Sequence, residues 1–396
     1  MHPDNTVLRN QIRWSQILIG VAVVAAIMSL FIAFGDSARF FQVYLIGYLF
    51  WVEIAVGCLG LVLMNNLING RWMYPILRIA EAGVQTLPLL AILFIPIIFG
   101  LGEIYPWMDT LGELKGGKNI MLTPTFFVLR TFIYIAVWSF LGFVLTNWSY
   151  RNDDGIVASE DTMRNFSAVG AIFYVLTTSL AGFDWTQSLV PEFFSSAFGW
   201  AVLSRMWLAM MALVIVLLAI HWGSGRLAEV VDKKITNDLG AMLLASFLVW
   251  VYFYGIQLVI IYSGNVAFNA IWFDLRIHDG WRLVTNVFAI ANIVLLALLL
   301  IPGIKGNRNA LVGLAVFTLL LRGLELHWVV MPTYEGATVM QLLDFMPIIA
   351  IGCVWLVAFL FIYYRHPLLP TNHPSLYGED ELGGLTEAYV ASDNNV

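Results

Sequence analysis

An α-helix needs about 20 consecutive, mostly apolar residues to cross the hydrocarbon core of a bilayer. Ten stretches of this chain approach or exceed that length: 14–34, 41–64, 84–105, 124–146, 165–183, 193–220, 239–262, 282–301, 310–331 and 340–363. In hydrocarbon each backbone N–H and C=O must be satisfied within the protein, so such runs fold as helices. Hydrophobic residues make up 60% of the 396, and charged residues only 12%. A water-facing surface of this size needs more polar cover. The expectation is an all-α integral membrane protein with ten transmembrane helices over residues 1–364. A polar, proline-punctuated tail over 365–396 would be free to lie on a partner.

Several function classes fall away. The net charge of −6 is spread over loops and tail, so no nucleic-acid partner is implied. Cys58 and Cys353 both lie in apolar runs, and there is no CxxC, CxxCH or cysteine cluster. That argues against an iron–sulfur site, a covalently attached haem or a structural zinc in this chain, and both cysteines read as small buried hydrophobes. The first apolar run is too long for a signal-peptide core and lacks a small-residue cleavage site.

Local signals refine the helices. Thr123-Pro124 reads as a helix start, with Thr as N-cap and Pro in the first turn. Asn237 and Asp238 are candidate caps for the seventh helix, and Pro302-Gly303 ends the eighth. Pro88 and Pro96 fall inside the third helix, which should be kinked or locally unwound. The fifth run is the shortest.

An even number of spans puts both termini on one side. That side would carry Arg9, Arg13, most loop Lys and Arg, and Arg365. The other side would carry only Arg39, Lys115, Lys118, Arg276 and Arg282. The positive-inside rule therefore places both termini in the cytoplasm. Arg130, Arg205 and Arg322 fall within spans and read as counter-charges to buried acids.

The chain also repeats itself faintly. "NLINGR" (66–71) and "HWGSGR" (221–226) follow the second and sixth helices, while "FDWTQSLVP" and "LHWVVMP" end the fifth and ninth. Helices 2–5 (about 41–183) and 6–9 (about 193–331) would be two four-helix bundles of parallel topology, flanked by helices 1 and 10.

Ionisable residues inside spans are functional candidates by default, because burying them is costly. Glu53 lies 18 residues before Arg71, and Arg205 lies 21 before Arg226. At ~1.5 Å per residue the two reach similar depth, near mid-membrane. They are expected to pair, as a structural ion pair fixing register or as part of a protonatable relay. Arg322 and Glu325 are i and i+3 neighbours on one helix face. His327 points roughly 140° away from Arg322, toward the outer surface. Glu325, Asp344 and Asp184 are expected together at the outer third of helices 9, 10 and 5, as solvated caps or as the outer end of a proton route. Glu81 and His221 are the corresponding candidates toward the cytoplasm. Tyr252, Tyr254, Gln257 and Asn292 would lie between the two sets. His221 and His327 sit at opposite ends of their helices and cannot ligate one haem.

One family resemblance stands out. "DWTQSLVPEFFSSAFG" (184–199) resembles a stretch characteristic of the NrfD-like family of quinol-interacting membrane subunits. "NLINGRWMYPILRIAEAGVQTLPLLAILFIPI" resembles the loop and third helix of one branch, which "IIYSGN" (260–265) and "RHPLLPTNHP" (365–374) also match. Together these stretches imply the branch that serves alternative complex III, a quinol:cytochrome c (or other high-potential carrier) oxidoreductase. The resemblance implies two four-helix bundles, a bacterial cytoplasmic (inner) membrane and cytoplasmic termini. It implies no redox cofactor in this chain. Haem c and iron–sulfur clusters would reside in multihaem cytochrome c and iron–sulfur partner subunits, with a sister NrfD-like subunit, small single-helix subunits, lipids and quinol (menaquinone among the candidates) in the complex. Two other functions stay open at this point: a quinol site in this chain itself, and a secondary transporter of a small solute.

Overall fold

The computed structural model describes residues 5–68, 70–110, 121–153, 160–222, 225–264, 267–278, 280–334 and 339–370. The tail beyond residue 370, Lys115 and Lys118 lie outside the described residues. Among the described residues the regular structure is helical, and ten helices are long and apolar enough to cross a membrane. This is a multi-pass membrane protein. We label the spans in chain order: α1 (Asn5–Gly35), α2 (Ser37–Ile68), α3 (Tyr74–Phe99), α4 (Pro124–Asp153), α5 (Glu160–Trp185), α6 (Phe198–His221), α7 (Lys233–Gly264), α8 (Trp281–Leu300), α9 (Arg308–Val330) and α10 (Met346–Tyr363).

The boundaries correct several expectations. The third span begins at Tyr74 rather than residue 84, because its first turns carry Pro75 at the start and a buried Arg78 and Glu81, which lower its hydropathy without breaking the helix. The sixth begins at Phe198, since the preceding residues form turns. The fifth is a 26-residue helix, not a short one. The seventh begins at Lys233, where Asp232 Oδ1 accepts the Ile235 amide at 2.7 Å; Asn237 and Asp238 lie inside the helix. Tyr252 is 60% exposed on the outside of α7, not among the interior polar groups.

The prolines act as expected. α3 consists of the pieces Tyr74–Val84, Leu87–Leu93 and Ile95–Phe99, broken just before Pro88 and Pro96, whose rings carry no amide hydrogen. The breaks are satisfied internally. Thr86 Oγ1 donates to Gly83 O at 2.6 Å, and Tyr44 Oη donates to Leu93 O at 2.9 Å.

α2 is the axis of the molecule. Between residues 43 and 64 it is apolar on every face apart from Glu53, which marks a helix buried on every side, and its most hydrophobic stretch is entirely buried. It packs on α1, α3, α4, α5, α6, α9 and α10, while α6 packs on α2, α3, α5, α7 and α9. Small residues let the backbones close in. A Cβ on Gly57 would lie 2.9 Å from the Met206 carbonyl oxygen and 2.7 Å from Met210 Cβ, so α2 and α6 are nearly in backbone contact. Gly47 bears the same relation to the Pro347 backbone of α10, at 2.8 Å. The peripheral helices expose large apolar side chains such as Phe34, Phe99, Phe143 and Leu320, a surface suited to hydrocarbon.

One tie occurs twice. Trp185 ends α5, and its indole donates to Thr131 Oγ1 of α4 at 3.0 Å; its carbonyl accepts from Tyr105 Oη at 3.3 Å. Trp328, in the last turn of α9, donates to Thr285 Oγ1 of α8 at 2.8 Å, and its carbonyl accepts from Arg276 Nε at 3.1 Å. Both ties satisfy helix-end carbonyls that have no intrahelical partner. Arg276 is fully buried, lies 3.6 Å from the Trp272 ring centroid and donates to Val329 O at 2.5 Å. Burial pushes its guanidinium down to about 9, which leaves it charged at neutral pH.

Candidate functional site

The centre of the molecule holds charge. α2 contributes Glu53, α6 Arg205, α9 Arg322 and Glu325, α7 Trp250 and Tyr254, and α8 Asn292. The expected Glu53–Arg205 contact is present: Arg205 Nε donates to Glu53 Oε2 at 2.9 Å, and Nη2 donates to Oε1. Such a two-point fork is the strongest geometry available to a carboxylate. The third guanidinium nitrogen, Nη1, donates to Tyr254 Oη at 3.2 Å.

The Arg322–Glu325 contact expected from helical spacing is also present, between Nη1 and Oε2. Arg322 Nη2 donates to Asn292 Oδ1 at 2.7 Å. Its guanidinium lies 4.1 Å from the Trp250 ring centroid, within cation–π range. The same Trp250 donates its indole N–H to Glu325 Oε1 at 3.0 Å. One tryptophan therefore holds both members of the α9 pair.

These two pairs are one cluster, which the sequence did not reveal. Arg205 Nη1 lies 4.0 Å from Glu325 Oε1, so the charges alternate from Glu53 through Arg205 and Glu325 to Arg322. Formal charges sum to zero. All four residues are at most 2% exposed. Balanced pairing is what makes charges tolerable in a low-dielectric interior, where removing one partner costs several kcal/mol, roughly 3–5.

The remaining acids do not gather at one outer site. Each has its own arginine, because each sits against a different helix. Asp184 at the end of α5 takes a two-point contact from Arg130 of α4, at 2.8 and 2.7 Å, and a hydrogen bond from Tyr134 Oη at 2.8 Å. Asp344 takes a two-point contact from Arg39 at the start of α2, at 2.9 and 2.6 Å, and also accepts the Gln341 amide at 2.8 Å. Arg39 reads as a loop residue in sequence, yet it is 7% exposed. His327 is not at the surface either. It is 1% exposed, with Nε2 3.1 Å from Val339 O and 3.9 Å from Asp344 Oδ2. Glu325 thus belongs to the central cluster, and His327 to the Asp344 site.

At the opposite end, Glu81 pairs with Arg78 at 2.5 Å, and Arg78 also reaches Asp153 and Ser149 Oγ. Arg78 and Glu81 repeat the Arg-x-x-Glu spacing of Arg322 and Glu325, a signal that finds the pair from sequence. Glu81 Oε1 has no hydrogen-bond partner among the described residues. His221 ends α6, with Nε2 3.0 Å from Tyr364 Oη.

The arrangement offers carboxylates paired with arginines at three levels: Glu81 with Asp153 on Arg78, the central cluster, and the Asp184 and Asp344 sites. Among the described residues, no group of three or more His, Cys, Asp or Glu side chains is placed to hold a metal ion. No protein-family model matches the chain, and no curated protein matches it.

Proposed function

We propose that this chain is an ActF-like, NrfD-type membrane subunit of a quinol:cytochrome c (or other high-potential carrier) oxidoreductase of the alternative complex III kind. In this reading it acts as assembly scaffold and carries part of a transmembrane proton route, with no redox centre of its own. The observation that carries the reading is the central cluster. Glu53, Arg205, Glu325 and Arg322 come from three helices and stand at the axis of the molecule, where ionisable groups are costly to bury and are functional candidates by default. The sequence resemblance supplies the complex in which such a cluster would work.

α2–α5 and α6–α9 are then the two four-helix bundles, flanked by α1 and α10. The duplicated tryptophan tie supports this, since Trp185 and Trp328 make matching contacts to α4 and α8. The bundles meet along α2 and α6. Both termini face the cytoplasm of a bacterial inner membrane. Haem c and iron–sulfur clusters sit in partner subunits on the outer face, and the sister NrfD-like subunit binds quinol. Electrons do not enter this chain. Redox change next door shifts the local field, and buried carboxylates respond by taking up or releasing protons.

The test is Glu53→Gln in the intact complex, reconstituted in vesicles. Quinol oxidation and proton translocation are measured together. The expected result is loss of translocation with electron flux partly retained. Unchanged flux and unchanged translocation together would remove Glu53 from the route. Purification provides a separate check, because this chain should bring haem-containing partners with it, whereas a transporter would come out colourless.

A further inference from the structure

The end of the molecule read as cytoplasmic is crossed by the first residues after α10. Tyr364 meets His221 at the end of α6. His366 stacks on Tyr150 near the end of α4, with ring centroids 3.6 Å apart and planes 5° from parallel. Pro370 O accepts from Tyr74 Oη at the start of α3, at 2.9 Å. The segment 364–370 is therefore a strap across α6, α4 and α3.

Beneath the strap is a slot of about 310 Å³ between α3 and α4. Its polar lining comprises Gln85, Ser139, Thr146, Asn147, Tyr150 and His366, and its apolar lining includes Pro88 and Phe143. Ser139 to Tyr150 spans eleven residues of α4, so the slot reaches ~16 Å along the helix. Ser139 Oγ is buried and has no hydrogen-bond partner among the described residues. Gln85 Nε2 donates to Tyr150 Oη at 2.9 Å, and the Arg78 guanidinium lies 4.9 Å from the Tyr150 ring centroid. Gln85 is one turn beyond Glu81 on the same helix. The strap end of the slot, where His366 stacks on Tyr150, is thus separated from the Arg78–Glu81–Asp153 ion group by little more than the Tyr150 ring and the Gln85 amide, while Ser139 marks the deep end.

We propose that this slot is a hydrated inlet, a site that binds water and carries protons between Glu81 at its strap end and the deeper Ser139, with His366 as its wall at the strap end. The proposal rests on the proton-route reading above. Water is favoured over a lipid chain by the buried, unpartnered Ser139 Oγ, which a hydrocarbon chain could not satisfy. A bound water needs two to four polar partners and about 30 Å³ of liquid volume; the slot has room for several, and Ser139, Asn147 and Gln85 line it. An anionic lipid head is disfavoured, because the nearby Arg78 is already engaged by Glu81 and Asp153.

The test uses the whole complex in vesicles with the strap side outward. Cys58 and Cys353 are both replaced by Ala, and Ser139→Cys or Asn147→Cys is introduced singly. Each thiol is challenged with a permanently charged quaternary-ammonium methanethiosulfonate and with neutral N-ethylmaleimide. A hydrated slot predicts that both reagents modify both thiols, and that adding His366→Ala raises the rate at Ser139→Cys several-fold. Modification by the neutral reagent alone would mean a hydrocarbon-filled slot, and no modification by either would mean a closed one; both outcomes overturn the inlet. In parallel, His366→Phe and Gln85→Leu should slow proton translocation more than quinol oxidation, and equal effects on the two rates count against it. The labelling does not depend on Glu53. If Glu53→Gln blocks translocation while the charged reagent fails, the inlet alone is wrong. If Glu53→Gln changes nothing while labelling succeeds, the route reading fails and the hydrated slot stands.

Discussion

Arg205 of α6 and Glu325 of α9 face each other at 4.0 Å, and that contact turns two separate ion pairs into one neutral cluster at the axis of the molecule. The consequence is coupling. Neutralising one carboxylate leaves net positive charge that Glu53, Arg205, Glu325 and Arg322 share. The cluster is thus suited to sense a charge change at any one of its members.

Coupling predicts non-additivity. Glu53→Gln and Glu325→Gln should each destabilise the protein by roughly 3–5 kcal/mol, as expected when one partner of a buried pair is removed. The double variant should depart from the sum by about 0.5–3 kcal/mol, the range for residues in one network. Thermal unfolding in detergent gives all three values. Strict additivity would mean two independent pairs.

The Asp344 site should matter far more than its loop-like sequence position implies. Arg39→Ala leaves the buried Asp344 carboxylate without its two-point partner, and it should cost several kcal/mol, about 3–5. Arg71→Ala is the control. Arg71 meets Asp232 at 3.5 Å with both side chains largely exposed, and such pairs contribute about 0–1 kcal/mol. The same unfolding assay ranks the two.

Close approach of α2 and α6 makes Gly57 intolerant of any side chain. Gly57→Ala would push a methyl against the Met206 carbonyl oxygen, and overpacking of this kind costs about 1–3 kcal/mol. Gly102→Ala should be neutral or slightly stabilising, because nothing lies within 4 Å of its added Cβ. Expression level and melting temperature in detergent separate the two.

The tryptophan ties can be compared directly. Trp185→Phe and Trp328→Phe each delete one indole donor and leave Thr131 or Thr285 without it. Each should lose about 1 kcal/mol, the net value of a typical hydrogen bond. A large effect at one site only would argue against equivalent roles in two repeats.

Glu53 and Arg205 were legible as a pair because depth follows from residue count along a helix. Arg322 and Glu325 were legible because i,i+3 neighbours share a face whatever surrounds them. Arg78 and Glu81 obey the same rule, but low hydropathy there placed them outside the third span. Arg39 and Asp344 are 305 positions apart, and no local signal joins them. The expected grouping of Glu325 with Asp184 and Asp344, and the expected place of His327 at the outer surface, do not hold for the same reason: helical geometry gives the direction of a side chain but not the helix it meets.

What the sequence alone determined is therefore the set of properties that act within one segment. Ten apolar lengths impose ten helices, prolines impose the breaks in α3, and helical spacing imposes the Arg322–Glu325 contact. Only the tertiary structure decided that Glu325 joins Glu53 through Arg205, and that Asp184 and Asp344 each close on an arginine of their own. Those contacts depend on which helix packs beside which, set by backbone approach at residues such as Gly57 and Gly47 and by complementary charges brought together from distant segments.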